Sequence, residues 1–148
     1  MNKKNIVMRK MDDPRSLGQG LVEMALLIPL LVMFVFGAVD LARAFHAQVT
    51  ITNASREGAR LAMRINRDNK VVDKLTAIKT RVAEEAGNSG VEIDTGDVTV
   101  LCGGAPYISS CSSGVEIDVF VDYEFELMMF SYFIPTIDLS HSTKMITP

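Results

Sequence analysis

Nineteen consecutive positions, Leu21 to Val39, carry a single charge, Glu23. As a helix rising about 1.5 Å per residue, this stretch covers about 28 Å, close to the ~30 Å hydrocarbon thickness of a bilayer. A helix that is apolar on every side has no face to turn to water, so the pattern predicts a membrane span. The competing expectation is a helix buried in a soluble core. Inside the span, Pro29 removes one backbone hydrogen bond and predicts a kink near Ala25 to Pro29, and Gly37 adds a second soft point. Helices in lipid tolerate both residues. The preceding segment, Met1 to Gly18, has no apolar period, contains Pro14, and sets Lys3, Lys4, Arg9, Lys10 and Arg15 against Asp12 and Asp13. It predicts an unstructured leader, which the positive-inside rule places in the cytoplasm with Asp40 onward outside.

Beyond the span, Asp40 to Ile65 keeps a helical pattern. Ala54, Gly58 and Ala62 make a stripe of small residues at spacing four, the kind that lets another backbone approach closely. Arg56, Arg60 and Arg64 make a second stripe on roughly the opposite side, read as a solvated face, and Glu57 is within reach of Arg60. If the helix is unbroken from Gln19 to Asn66 it is about 70 Å long. Asn66 to Lys70 is polar and predicts a linker or break. Val71 to Ala86 places Val71, Leu75, Ile78, Val82 and Ala86 on one helical face, and Gly87-Asn88-Ser89-Gly90 ends that helix.

The period then changes from helical to alternating. Val91 to Leu101 predicts a strand interrupted near Thr95-Gly96, and Cys102 to Gly114 a Gly- and Ser-rich loop. Val115 to Leu127 is the clearest strand. Val115, Ile117, Val119, Val121, Tyr123, Phe125 and Leu127 lie on one side, with Glu116, Asp118, Asp122, Glu124 and Glu126 on the other and Phe120 as the exception. Met128 to Ile137 is apolar and contains Pro135; it fits a segment under the sheet, at the membrane or against a partner. Asp138 to Ile146 predicts a final strand. The expected fold is α+β: a leader (1–18), a transmembrane and extended helix (19–66), and a small head (67–148) with a second helix and an antiparallel sheet of about three strands.

Composition narrows the chemistry. A net charge of −3 and the absence of a sustained Lys/Arg run give no reason to expect nucleic acid. There is no Trp, and the two His residues, His46 and His141, have no companion at ligand or triad spacing. No nucleophile elbow, phosphate loop or paired-carboxylate site stands out, so neither an enzyme nor a cofactor is expected. The acidic face of the Val115 strand is read as solvated, the alternative being a cation or a basic partner. Cys102 and Cys111 flank a short loop; outside the cytoplasm an oxidised pair is the default, against free thiols or a metal site lacking two further ligands.

Three fates compete for the apolar segment. A secretory signal peptide would be cut near Ala42-Arg43-Ala44, but the apolar run is too long for one, and Asp40 and Arg43 lie in the cutting region. The second fate is an uncut single-span anchor. The third is cutting ahead of the span. Gly18 closes the basic leader, Gln19 follows, and Glu23 stands five positions beyond the Gly. This arrangement resembles the prepilin peptidase site of type IV pilins, in which the cut follows the Gly and the Glu becomes the fifth mature residue. Near the end of the span, Glu23 can snorkel to the interface or pair with the freed amine of Gln19 on a neighbouring subunit, an interaction strengthened where water is excluded.

The stretch from Gly18 to Met63 resembles the TadE-like family of the Tad (tight adherence, Flp-type) pilus system. The resemblance rests on Val22-Glu23, Leu27-Ile28-Pro29-Leu30, Gly37 to Asp40 and above all Asn53-Ala54-Ser55-Arg56-Glu57-Gly58-Ala59-Arg60. One departure is Met24, where the family usually has an aromatic residue. The resemblance implies a minor pilin or pseudopilin in the bacterial inner membrane, its head in the periplasm. The implied partners are other pilin-like subunits, Tad assembly proteins and the prepilin peptidase. The alternatives are an uncut scaffold protein of the same apparatus and a membrane-tethered enzyme or ligand-binding module.

Overall fold

A computed structural model of the chain describes residues 14–66, 73–129, 131 and 135–148, with side chains from residue 18 onward. The leader up to residue 13, the linker at 67–72 with Val71, and positions 130 and 132–134 of the apolar segment lie outside the described residues. The elements are α1 (Pro14–Asn66), α2 (Lys74–Asn88), a one-turn 3₁₀ helix (Thr95–Asp97), β1 (Val98–Cys102), β2 (Ala105–Pro106), β3 (Glu116–Glu126) and β4 (Thr136–Ile146). The class is α+β, with a long apolar N-terminal helix, a second helix and a small antiparallel sheet. By contact the chain divides into two units, Met1–Ala38 and Val39–Pro148.

The described part of the first unit is helical and continues through Pro29. Its large apolar side chains from Leu21 to Phe36 all stand exposed. It lies in the one helix, among the described residues, that is long and apolar enough to cross a membrane, and none of the apolar window is buried inside the protein. A soluble core helix of this composition would be covered, so the exposure favours a span.

The second unit contains the predicted head together with helix residues 39–66. Asp40, Ala47, Thr50, Ile51, Ala54, Ser55, Ala59, Ala62 and Asn66 are all buried, a stripe down one side of α1. Ala54, Gly58 and Ala62 are part of it. A Cβ built on Gly58 would overlap Val82 Cγ2 of α2 and come 3.4 Å from Val119 Cγ1 of β3. The close approach foreseen for this stripe is thus made to elements of the same chain.

α2 starts at Lys74 because Asp73 caps it, accepting from Thr76 N at 3.0 Å and Thr76 Oγ1 at 2.6 Å. It buries Ile78, Val82 and Ala86 as the spacing predicts. Its end is a Schellman motif: Val91 N–H donates to Ala86 O and Gly90 N–H to Gly87 O, with Gly90 at φ +79°. The Val91–Leu101 strand is realised only from Val98, because a capping box between Asp94 and Asp97 winds the preceding residues into the 3₁₀ turn.

The sheet has four strands in the order β2-β1-β3-β4, all antiparallel. The unforeseen strand is β2. Gly103 and Gly104, both at positive φ (57° and 84°), make the two-residue turn that folds Ala105–Pro106 back on Leu101 and Cys102. Pro106 is acceptable there because β2 is an edge. Ile117, Val119, Val121 and Phe125 of β3 are buried with Val98 and Val100 of β1, and the helices cover that face. Cys102 and Cys111 form a disulfide. Closing so short a loop stabilises the fold by about 2.6 kcal/mol in the chain-entropy model.

Gly58→Leu should destabilise the second unit by about 1–3 kcal/mol, since the added carbons have nowhere to go between Val82 and Val119. Denaturant unfolding of the detergent-solubilised chain measures this. An unchanged midpoint would contradict the tight helix contact.

Candidate functional site

The first candidate group lies at the head of the apolar helix. Gly18, Gln19 and Glu23 are all exposed on α1, and Gln19 Nε2 donates to Glu23 Oε1 at 3.2 Å. The i,i+4 spacing of a helix brings the two side chains together. Glu23 therefore has a polar partner of its own chain at the position from which cutting would release an amine.

The second group is the Asn53 to Arg60 segment. The helix separates its residues onto two sides. Glu57 and Gly58 turn toward α2, whereas Asn53, Arg56 and Arg60 are exposed. Glu57 pairs with Arg81 of α2 at 3.3 Å and with Arg64 at 3.8 Å. The expected partner was Arg60. Arg81 displaces it because packing at Gly58 brings α2 close enough for a cross-helix pair, and Arg81 also reaches Glu84 and Glu85.

A third group was missed by sequence reasoning. Asp40, the residue directly after the predicted span, is 3% exposed. Its Oδ1 accepts from Met128 N at 3.1 Å and its Oδ2 from Met129 N at 2.9 Å. Arg43 Nη1 sits 3.3 Å from Oδ1, and its guanidinium lies 5.2 Å over the ring of Phe125. The carboxylate thus clasps the backbone just beyond β3. The Met129 amide, then the Met128 amide and the Arg43 charge, hold its pKa below the ordinary carboxylate value against the opposing effect of desolvation. The available signal was an Asp on the inward side of an otherwise apolar and small-residue stripe.

The far end of α1 is held in a similar way. Asn66 Nδ2 donates to Cys111 O at 2.8 Å, and Cys111 N donates back to Asn66 Oδ1 at 2.7 Å. Lys74 Nζ caps the helix by donating to Asn66 O at 2.8 Å. Between the two ends, the Ser55 and Thr143 hydroxyls meet at 2.8 Å. These buried polar groups have partners, as burial requires.

Elsewhere the chemistry is sparse. Glu92, Asp97, Asp122, Glu124 and Asp138 line an open acidic concavity with Tyr123. On the same sheet face Lys144 pairs with Glu116 at 2.9 Å and lies 3.8 Å from Asp118. His46 lines a shallow apolar groove with Arg43 and Phe125, while His141 stands opposite Val121 on β4. Among the described residues, no group of three or more His, Cys, Asp or Glu is placed to hold a metal ion.

The model of the TadE-like protein family matches residues 18–60, which contain both the Gly18–Glu23 group and the Asn53–Arg60 segment. No curated protein and no solved structure matches the chain. The family match supports a Tad pilus-associated protein, and the exposed apolar helix suggests one anchored in a membrane by a single pass.

The Asp40 clasp carries an acid-stability signature. Its folded pKa lies below the unfolded value, so its contribution is complete above the unfolded pKa and is lost as pH falls through the folded one. Asp40→Asn should lower the melting temperature at neutral pH and flatten its fall below about pH 4. Parallel melting curves for the two proteins across that range would exclude the clasp as a stabilising contact.

Proposed function

We propose that this chain is a minor pilin- or pseudopilin-like structural subunit of a Tad pilus, cut by the prepilin peptidase between Gly18 and Gln19. The observation that carries the proposal is the exposed apolar helix opening on Gly18, Gln19 and Glu23, within the segment the family model matches. In this reading the leader is cytoplasmic, the span lies in the bacterial inner membrane and the head is periplasmic. The disulfide suits that compartment.

The mechanism is one of assembly. Peptide hydrolysis turns the Gln19 amide nitrogen into an ammonium group at the end of an apolar helix. An ammonium there needs a counter-charge, and the Glu23 carboxylate of a neighbouring subunit supplies one. The pair gains strength where packed helices and lipid exclude water. Before the cut, the Gln19 side chain occupies Glu23 within the same chain. The cut leaves that amide neutral and adds a stronger competitor for the carboxylate. Partners are then other pilin-like subunits, Tad assembly proteins and the peptidase; the head performs no catalysis.

N-terminal sequencing of the membrane-extracted protein should begin at Gln19. A start at Met1 removes the pilin reading and leaves the uncut scaffold. Glu23→Ala should insert and be cut as the wild type is, yet yield few or no assembled pili by electron microscopy. Normal piliation in that variant would exclude the amine–carboxylate pair.

A further inference from the structure

We propose that the second unit carries a peripheral membrane contact of its own, an apolar seat formed by Leu41, Phe45, Met128 and Met129 around the point where the span leaves the bilayer. The proposal rests on reading the helix up to Val39 as a membrane span. Leu41 is 72% exposed, Phe45 71%, Met128 65% and Met129 38%, so all four offer apolar surface that the protein leaves uncovered.

Their placement follows from the helix and the clasp. Leu41 and Phe45 lie about 3 and 9 Å beyond Val39 at about 1.5 Å per residue. The headgroup layer on each side of a bilayer is about 5–7 Å thick, so Leu41 falls within it. The Phe45 backbone lies just beyond, and a helical side chain slants back toward the N-terminus, which brings its ring to the outer edge of the layer. Met128 and Met129 are tied to the same level by their amide bonds to Asp40, the residue next to Val39. The buried carboxylate thus brings a turn distant in sequence to the first extramembrane turn of α1.

The occupant follows from the helix faces. At about 100° per residue, Leu41 and Phe45 point roughly 100–140° around the helix from Asp40. A partner helix laid along the Leu41–Phe45 face would leave Met128 exposed, and one laid against Met128 would leave Phe45 exposed. A bilayer surrounds the exit point and covers both. Methionine suits such a disordered apolar medium because it is flexible and unbranched. Glu124, Glu126 and Asp138 stand exposed on the outer sheet face near the same end of the sheet. The contact is therefore apolar and needs no anionic lipid.

The test uses the full chain in phosphatidylcholine vesicles, with a fluorophore on a single introduced cysteine: Leu31→Cys in the span, Met128→Cys in the seat or Asp122→Cys on the outer sheet. Nitroxide lipids should quench the Leu31 and Met128 labels, the latter most from a headgroup-level nitroxide. Aqueous iodide should quench only the Asp122 label. Adding Asp40→Asn should cost the Met128 label its shallow quenching while the Leu31 label keeps its own. Quenching at Leu31 with iodide access at Met128 equal to that at Asp122 would overturn the seat and leave the span standing. No lipid quenching at either position would overturn both. Protection of Met128 that grows with the protein-to-lipid ratio would assign the surface to a second copy and overturn the bilayer as occupant.

Discussion

The fold of the second unit depends on one close approach, that of α1 to α2 and β3 at Gly58. A small unit has little core to spare, and here a substantial part of it comes from one stripe of α1. A large side chain at Gly58 would hold the backbones apart and open voids among Ile78, Val82 and Val119. Small ones let the helix lie directly on its neighbours, where dispersion contacts are densest. The same α1 thus meets two demands, exposing large apolar side chains along its first part and burying mostly small ones, with Ile51, from Ala47 onward.

Apolar packing alone does not fix a helix along its own axis, since neighbouring turns offer similar grooves. The polar pins do. Asp40 takes two backbone amides, Ser55 meets Thr143, and Asn66 exchanges two hydrogen bonds with Cys111. Sliding α1 by one turn would strand each of these groups in the interior, at about 1–3 kcal/mol per unsatisfied group and more for the charged carboxylate. A pull along the axis of α1 would pass through Asp40 and Asn66 into the strands and the disulfide loop.

The Asn53–Arg60 segment takes on a physical meaning in this setting. Gly58 lies directly against α2, and Glu57 pairs with Arg81 of the same helix. Asn53, Arg56 and Arg60 face outward and are spared these internal tasks. One short segment therefore combines a packing surface with a polar exposed one.

Periodicity alone determined much of this protein. The all-apolar run, the alternation of β3 and the helical face of Ile78, Val82 and Ala86 each follow from a local rule linking side-chain spacing to water or lipid, and each is found as expected. The pairing of Cys102 with Cys111 was the default reading for neighbouring thiols outside the cytoplasm, and it too is present. The rest required contacts between residues far apart in the chain. Nothing near Asp40 announces that its partners are Met128 and Met129. Nothing near Glu57 selects Arg81 over Arg60, and the small-residue stripe carries no mark of whether its neighbour is another subunit or its own chain. Local sequence fixes which side of an element is apolar, because that depends only on period. Which surface covers that side is decided by how the whole chain closes upon itself.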